Sequence, residues 1–186
     1  MLYQESIIDK DSMELCAYGI QITMANLFNF MIAFGIGLVT DSLMEIALFY
    51  TVFISLRFFC GGYHAKSYRG CFSLFAGTCL LYLIMQKTIL EYGKHDALLL
   101  AGASIFLGVC IFVKAPIENE NRPFAEEERS RFRIRSIWLY LIWVAVGTIL
   151  HANQAIHLSA GFTCVFVIIS IYMLMEGRGK IEEKSA

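Results

Sequence analysis

The chain has 186 residues, 58% of them hydrophobic and 17% charged, with a formal net charge of −1 and a mean hydropathy of +0.61. Ordinary soluble domains are about 45–50% apolar and about 25% charged, and a soluble core of this size has no room for so much apolar surface. The composition points to a membrane protein, and the near-neutral charge argues against a nucleic-acid partner.

The first fourteen residues carry Glu5, Asp9, Asp11 and Glu14. They lack the basic start and small-residue cleavage site of a signal peptide and read as a solvated lead-in or a surface helix. A spanning helix needs about 20 mostly apolar residues. Six runs qualify: 16–40, 43–59, 71–90, 97–113, 136–151 and 155–175. The second is interrupted by Glu45 and closed by Arg57; the third holds Lys87 near its end. The short links at 41–42 and 152–154 make their neighbours antiparallel hairpins. The predicted fold is all-α: a single polytopic membrane domain over residues 1–186 with six transmembrane helices, open sheets being excluded from lipid.

Sidedness follows from Lys and Arg in the connections. One side receives Lys10; Arg57, Lys66 and Arg69; Lys114, Arg122, Arg129, Arg131, Arg133 and Arg135; and Arg178, Lys180 and Lys184. The other receives Lys87 and Lys94. This split of 13 to 2 predicts both termini in the cytoplasm and a multi-pass cell-membrane protein. The six cysteines (Cys16, Cys60, Cys71, Cys79, Cys110 and Cys164) lie mostly in or beside apolar runs, without a C-x-x-C spacing. Such cysteines behave as small buried hydrophobes rather than a disulfide framework.

Between the second and third spans stands the sequence "LRFFCGGYHAKSYRGCFSLF", residues 56–75. It places His64 and Cys71 seven residues apart at the predicted cytoplasmic face. A cysteine nucleophile needs a base, and imidazole is the usual one near neutral pH. In one continuous helix this separation is about 10.5 Å along the axis, too far for a hydrogen bond. A working pair therefore needs a chain reversal, which Gly61, Gly62 and Gly70 permit. Cys71 would then open the third span, where free backbone N–H groups and partial positive charge favour an anion. Arg57, Lys66 and Arg69 add positive field, or serve as topology anchors. Cys60 and His64 make at most a two-ligand metal set, so Cys60 is read as packing, with no metal or cofactor expected.

These residues resemble the AgrB family of membrane-embedded cysteine endopeptidases in Gram-positive quorum sensing. The matching pattern is Arg57, Gly61–Gly62, then His64, Ala65, Lys66 and Ser67, then Cys71; a second match is "APIENENRP", residues 115–123. The resemblance covers essentially the whole chain. It implies that His64 and Cys71 are catalytic, with Arg57, Gly61, Gly62 and Lys66 supporting them. It implies as partner an AgrD-type precursor peptide, with an amphipathic N-terminal helix, a central signal sequence and a charged C-terminal tail. The tail is removed and the remainder closed to a thiolactone or lactone through a Cys71 acyl-enzyme. A homodimer is also implied by the resemblance, although the sequence marks no interface.

Gln21, Asn26, Asn29 and Glu45 are polar groups inside spans, which face the bundle interior and bond between helices, or orient His64. A helical second span puts Glu45 more than three turns from Arg57, too far to pair. His151 and His157 fall at the opposite ends of the spans from His64. Residues 114–135 divide into an acidic piece and a basic piece, 129–135. The basic piece reads as an anchor on anionic membrane lipid, or else Arg131 and Arg133 bind the acidic tail of the substrate. The competing readings are a small transporter or channel without thiol catalysis, and a non-catalytic membrane subunit.

Overall fold

The computed structural model describes residues 10–62, 68–92, 96–117 and 126–183. They form six helices: α1 Lys10–Val39, α2 Leu43–Cys60, α3 Tyr68–Tyr92, α4 Asp96–Lys114, α5 Glu126–Ala152 and α6 Ile156–Glu183. Among the described residues there is no strand. All six helices are long and apolar enough to cross a membrane.

Three helices start three or more residues before their apolar runs, the first of them at Lys10 rather than Cys16. The third begins at Tyr68 rather than Cys71, and the fifth at Glu126 rather than Ser136. Residues 126–135, "EEERSRFRIR", are polar but rich in good helix formers, with acidic residues at the N-terminal end of the dipole. Hydropathy sees only the apolar part of such a helix. The basic piece 129–135, expected in a loop, is therefore helical.

Tight reversals join α1 to α2 and α5 to α6. In the first, Asp41 sits at φ 52° and the Ser42 N–H donates to the Gly37 carbonyl at 2.9 Å. In the second, Gln154 sits at φ 60° and the Ala155 N–H donates to the Leu150 carbonyl at 2.9 Å. A six-to-one bond around one left-handed residue satisfies the last carbonyls and turns the chain at once. The expected hairpins form this way.

Helix α6 is the centre of the bundle, packing against α2, α3, α4 and α5, while α1 lies outside against α2 and α3. Residues 159–166 of α6 are all buried. Between α2 and α3 an aromatic cluster fills the core, with Phe49 and Tyr82 centroids 4.8 Å apart and Phe49 and Phe53 5.0 Å apart. Polar groups inside the bundle are spent on ties between helices. Trp143 Nε1 donates to Ser55 Oγ at 3.0 Å, the Tyr140 hydroxyl to the Ser104 carbonyl at 2.9 Å and Gln86 Nε2 to the His157 carbonyl at 2.9 Å. A hydrocarbon surround favours such pairing, because an unpaired polar group there has no water to bond. Outward-facing positions are apolar, including Ile20, Met31, Ile84, Ile105, Trp138 and Ile149, the surface that lipid requires.

Of the intramembrane polar residues singled out in the sequence, Asn26 gives its backbone carbonyl to the Tyr50 hydroxyl at 3.0 Å. Asn29 Oδ1 is buried without a hydrogen-bond partner among the described residues. Glu45 lies in the first turn of α2 and Arg57 in its last. The helix is unbroken between them, so they are about 18 Å apart along its axis and do not pair. The side chain of Gln21 lies outside the described residues. His151 Nδ1 is 3.3 Å from Ser159 Oγ and 3.9 Å from Asp96 Oδ2, at the end of the bundle opposite Cys60 and Cys71.

Candidate active site

The C-terminal ends of α2 and α4 and the N-terminal end of α3 meet at one end of the bundle. Helix α2 stops at Cys60 because Gly61 adopts φ 75° and ψ −157°, followed by Gly62 at φ 132°. The Gly61 conformation is one that only glycine takes readily. The Gly61 N–H still donates to the Arg57 carbonyl at 3.0 Å, and the Ile117 N–H donates to the Cys60 carbonyl at 2.9 Å. The segment after α4 therefore pairs with the end of α2. A Cβ on Gly61 would stand 2.5 Å from the Ile117 carbonyl oxygen, so glycine is required by conformation and by space together.

Arg57, in the last turn of α2, lies between two rings. Its guanidinium carbon is 4.8 Å from the Tyr172 centroid and 5.6 Å from that of Phe53. The Cβ position of Gly62 is 3.5 Å from Arg57 Nη1 and 3.6 Å from Tyr172 Cβ. The Tyr172 hydroxyl is 2.6 Å from Thr78 Oγ1 on α3. Thr78 gives its own proton to the Leu74 carbonyl at 2.7 Å, so Tyr172 is the donor to its oxygen.

Cys71 is the fourth residue of α3 and is partly exposed, whereas Cys60, Cys79, Cys110 and Cys164 are buried. Gly70 is helical, which corrects the expectation that it helps turn the chain. The reversal uses Gly61 and Gly62, and residues 68–70 already belong to α3. The start of α3 thus lies three residues before Cys71 rather than at it. Cys60 is fully buried, in keeping with a packing role. His64 and Lys66 lie outside the described residues.

The two arginines assigned to substrate differ. Arg131 is exposed on α5. Arg133 Nη2 donates to the Phe112 carbonyl at 3.1 Å, capping one of the last carbonyls of α4, where a cation is favoured. Phe132 between them is buried and packs on Phe58 and Phe59, with centroids 6.1 and 5.7 Å apart. This contact fixes the start of α5 beside the end of α2. Sequence reasoning missed Tyr172 and Thr78, and held Ile117 only as part of the motif at 115–123. A tyrosine near the end of a span reads as an interfacial aromatic, and nothing local marks its partner 94 residues away.

The family profile for Accessory gene regulator B, AgrB, matches residues 1–175. The chain belongs to the AgrB family. It is 25% identical over 173 residues to an AgrB-like protein of Listeria innocua, covering 90% of this chain and 82% of that one. It is 24% identical over 153 residues to an AgrB-like protein of Clostridium perfringens, 78% and 71% of the two chains. It is also 24% identical over 133 residues to accessory gene regulator protein B of Staphylococcus intermedius, 70% and 68% of the two chains. No solved structure matches the chain. Family membership connects this six-helix protein with the agr quorum-sensing system and its precursor peptide.

Proposed function

We propose that this protein is a membrane-embedded cysteine endopeptidase. It removes the C-terminal tail of an AgrD-type precursor and cyclises the remainder, with its active site at the cytoplasmic face. The observation that carries the reading is Cys71: of the five cysteines described, it alone is not buried, and it lies near the start of α3 beside the glycine turn.

In this mechanism His64 takes the proton from Cys71. The thiolate attacks the scissile carbonyl, and the imidazolium returns its proton to the leaving amine of the tail. Helix-start N–H groups stabilise the oxyanion. The product is a thioester between Cys71 and the shortened peptide. A thiol within the peptide then attacks this carbonyl, His64 carries its proton to the departing Cys71 sulfur, and a thiolactone is released; a hydroxyl nucleophile yields a lactone. Exchange of one thioester for another changes the free energy little, so exclusion of water decides between cyclisation and hydrolysis. The apolar helices around the site and the amphipathic helix of the substrate provide that cover. Arg131 and Arg133 lie on the same end of the bundle and attract an acidic tail.

The test is cleavage of the precursor by protein reconstituted in liposomes. Cys71→Ser and His64→Ala are each expected to abolish tail removal while inserting normally, and precursor should protect Cys71 from a thiol-directed active-site probe. Near-normal cleavage by either variant refutes the assignment. Solute flux that survives Cys71→Ser would favour the transporter reading.

A further inference from the structure

Gly62 and Tyr68 bound the short segment that carries His64, and the structure brings the supports of both ends to one side chain. At the first end, the Tyr172 ring holds the Arg57 guanidinium at 4.8 Å, and its Cβ and backbone carbonyl lie 3.6 Å from the Cβ position of Gly62. Past the second end, its hydroxyl bonds to Thr78 at 2.6 Å, ten residues into α3 from Tyr68 and two helical turns beyond Cys71. Tyr172 is buried on α6, the helix around which the bundle packs. We infer that Tyr172 is a positioning residue for the cysteine protease reaction, fixing the glycine turn and the start of α3 against one support so that base and nucleophile meet.

The physical case rests on three contacts of different kinds. A cation over an aromatic face is held more strongly where water is excluded. The hydroxyl donates to an oxygen whose own proton is already committed to Leu74, so the bond has a defined direction. The close approach of Gly62 leaves the turn resting on the backbone of α6. The joint effect of the three is to remove freedom between two chain ends, and a misplacement of about 1 Å between reacting groups costs about 100-fold in rate.

This inference rests on the peptidase reading, and the experiment separates the two. The full chain is placed in nanodiscs as wild type, Tyr172→Phe, Tyr172→Leu, Thr78→Val and Tyr172→Phe/Thr78→Val. Two quantities are measured: kcat and KM for tail removal from the AgrD-type precursor, and hydrogen exchange of the backbone amides without peptide. Tyr172→Phe keeps the ring under Arg57 and loses only the hydroxyl, so kcat should fall about tenfold with KM unchanged. Thr78→Val should do the same, and the double variant no more than either. Tyr172→Leu should lower kcat by about 100-fold. Exchange should rise at both the end of α2 and the start of α3, the remainder of α6 staying protected. A Tyr172→Leu protein within about twofold of wild-type kcat overturns the inference, as does loosening spread along α6 or additive losses in the double variant. Wild-type cleavage that survives Cys71→Ser refutes the peptidase instead. In that outcome, coupled loosening of the two ends upholds Tyr172 as their common support and its absence overturns it.

Discussion

Replacing Gly61 with alanine puts a single methyl group into the tightest point of the site. The new Cβ would lie 2.5 Å from the Ile117 carbonyl oxygen and 3.1 Å from Ile117 Cβ. The obstructing atom is backbone, and Ile117 follows Pro116, whose ring restricts the local chain. The clash is therefore relieved by separating residues 115–117 from α2, which breaks the Ile117 N–H bond to Cys60. An alanine held at φ 75° and ψ −157° costs about 1–3 kcal/mol. The lost hydrogen bond adds about 0.5–1.5 kcal/mol, and the lower entropy of the unfolded alanine chain returns about 0.4–1 kcal/mol. The net destabilisation is about 0.5–4 kcal/mol. Gly77 is the matched control: it is helical, on α3, with nothing within 4 Å of its Cβ position, so Gly77→Ala should stabilise by about 0.5–1 kcal/mol. Both variants are made in a Cys16→Ser/Cys71→Ser background and heated with a thiol-reactive fluorophore, because the remaining Cys60, Cys79, Cys110 and Cys164 are buried until the fold opens. Gly61→Ala should label at clearly lower temperature than its parent. If it melts together with Gly77→Ala, the account of the turn is wrong.

Gly161→Ala places a Cβ 2.7 Å from the Tyr82 hydroxyl in the buried stretch 159–166 of α6 and should lower stability by about 1–3 kcal/mol. The clashing atom is that hydroxyl, so Tyr82→Phe should restore much of the loss in the same melt; a double variant as unstable as the single would contradict the packing described. Arg131→Glu and Arg133→Glu should each reduce cleavage of an acidic-tailed precursor and regain it with a basic tail. Only Arg133→Glu should also melt earlier, by about 0.5–1.5 kcal/mol of stability, because it alone gives up the bond to the Phe112 carbonyl. Unchanged cleavage with correct insertion would leave both arginines as lipid anchors.

The number and type of helices were legible in the chain because an apolar run of spanning length has few alternatives in lipid, where backbone groups must bond within their own segment. The hairpins were legible for a similar reason: links as short as 41–42 and 152–154 leave room for nothing else. Helix ends were less so. The polar first turns of α5 are helical by propensity and charge placement, to which hydropathy is blind, and Gly70 follows the helix despite its freedom to leave it. The glycine pair, by contrast, carried its meaning locally, and among the described residues Gly61 and Gly62 are the glycines that take positive φ.

By itself, the sequence determined an all-α membrane protein, the place where His64 and Cys71 fall close in the chain, and the glycines between the second and third spans. These are properties of composition and of neighbours. Only the tertiary structure decided that α6 is the centre, that Ile117 pairs with Cys60, that Arg133 caps α4, and that Arg57, Gly62 and Thr78 share Tyr172. Such contacts join residues tens of positions apart, and in a hydrocarbon surround every helix face is apolar. Hydrophobic patterning therefore cannot tell which face turns inward; close packing and the pairing of a few polar groups choose it.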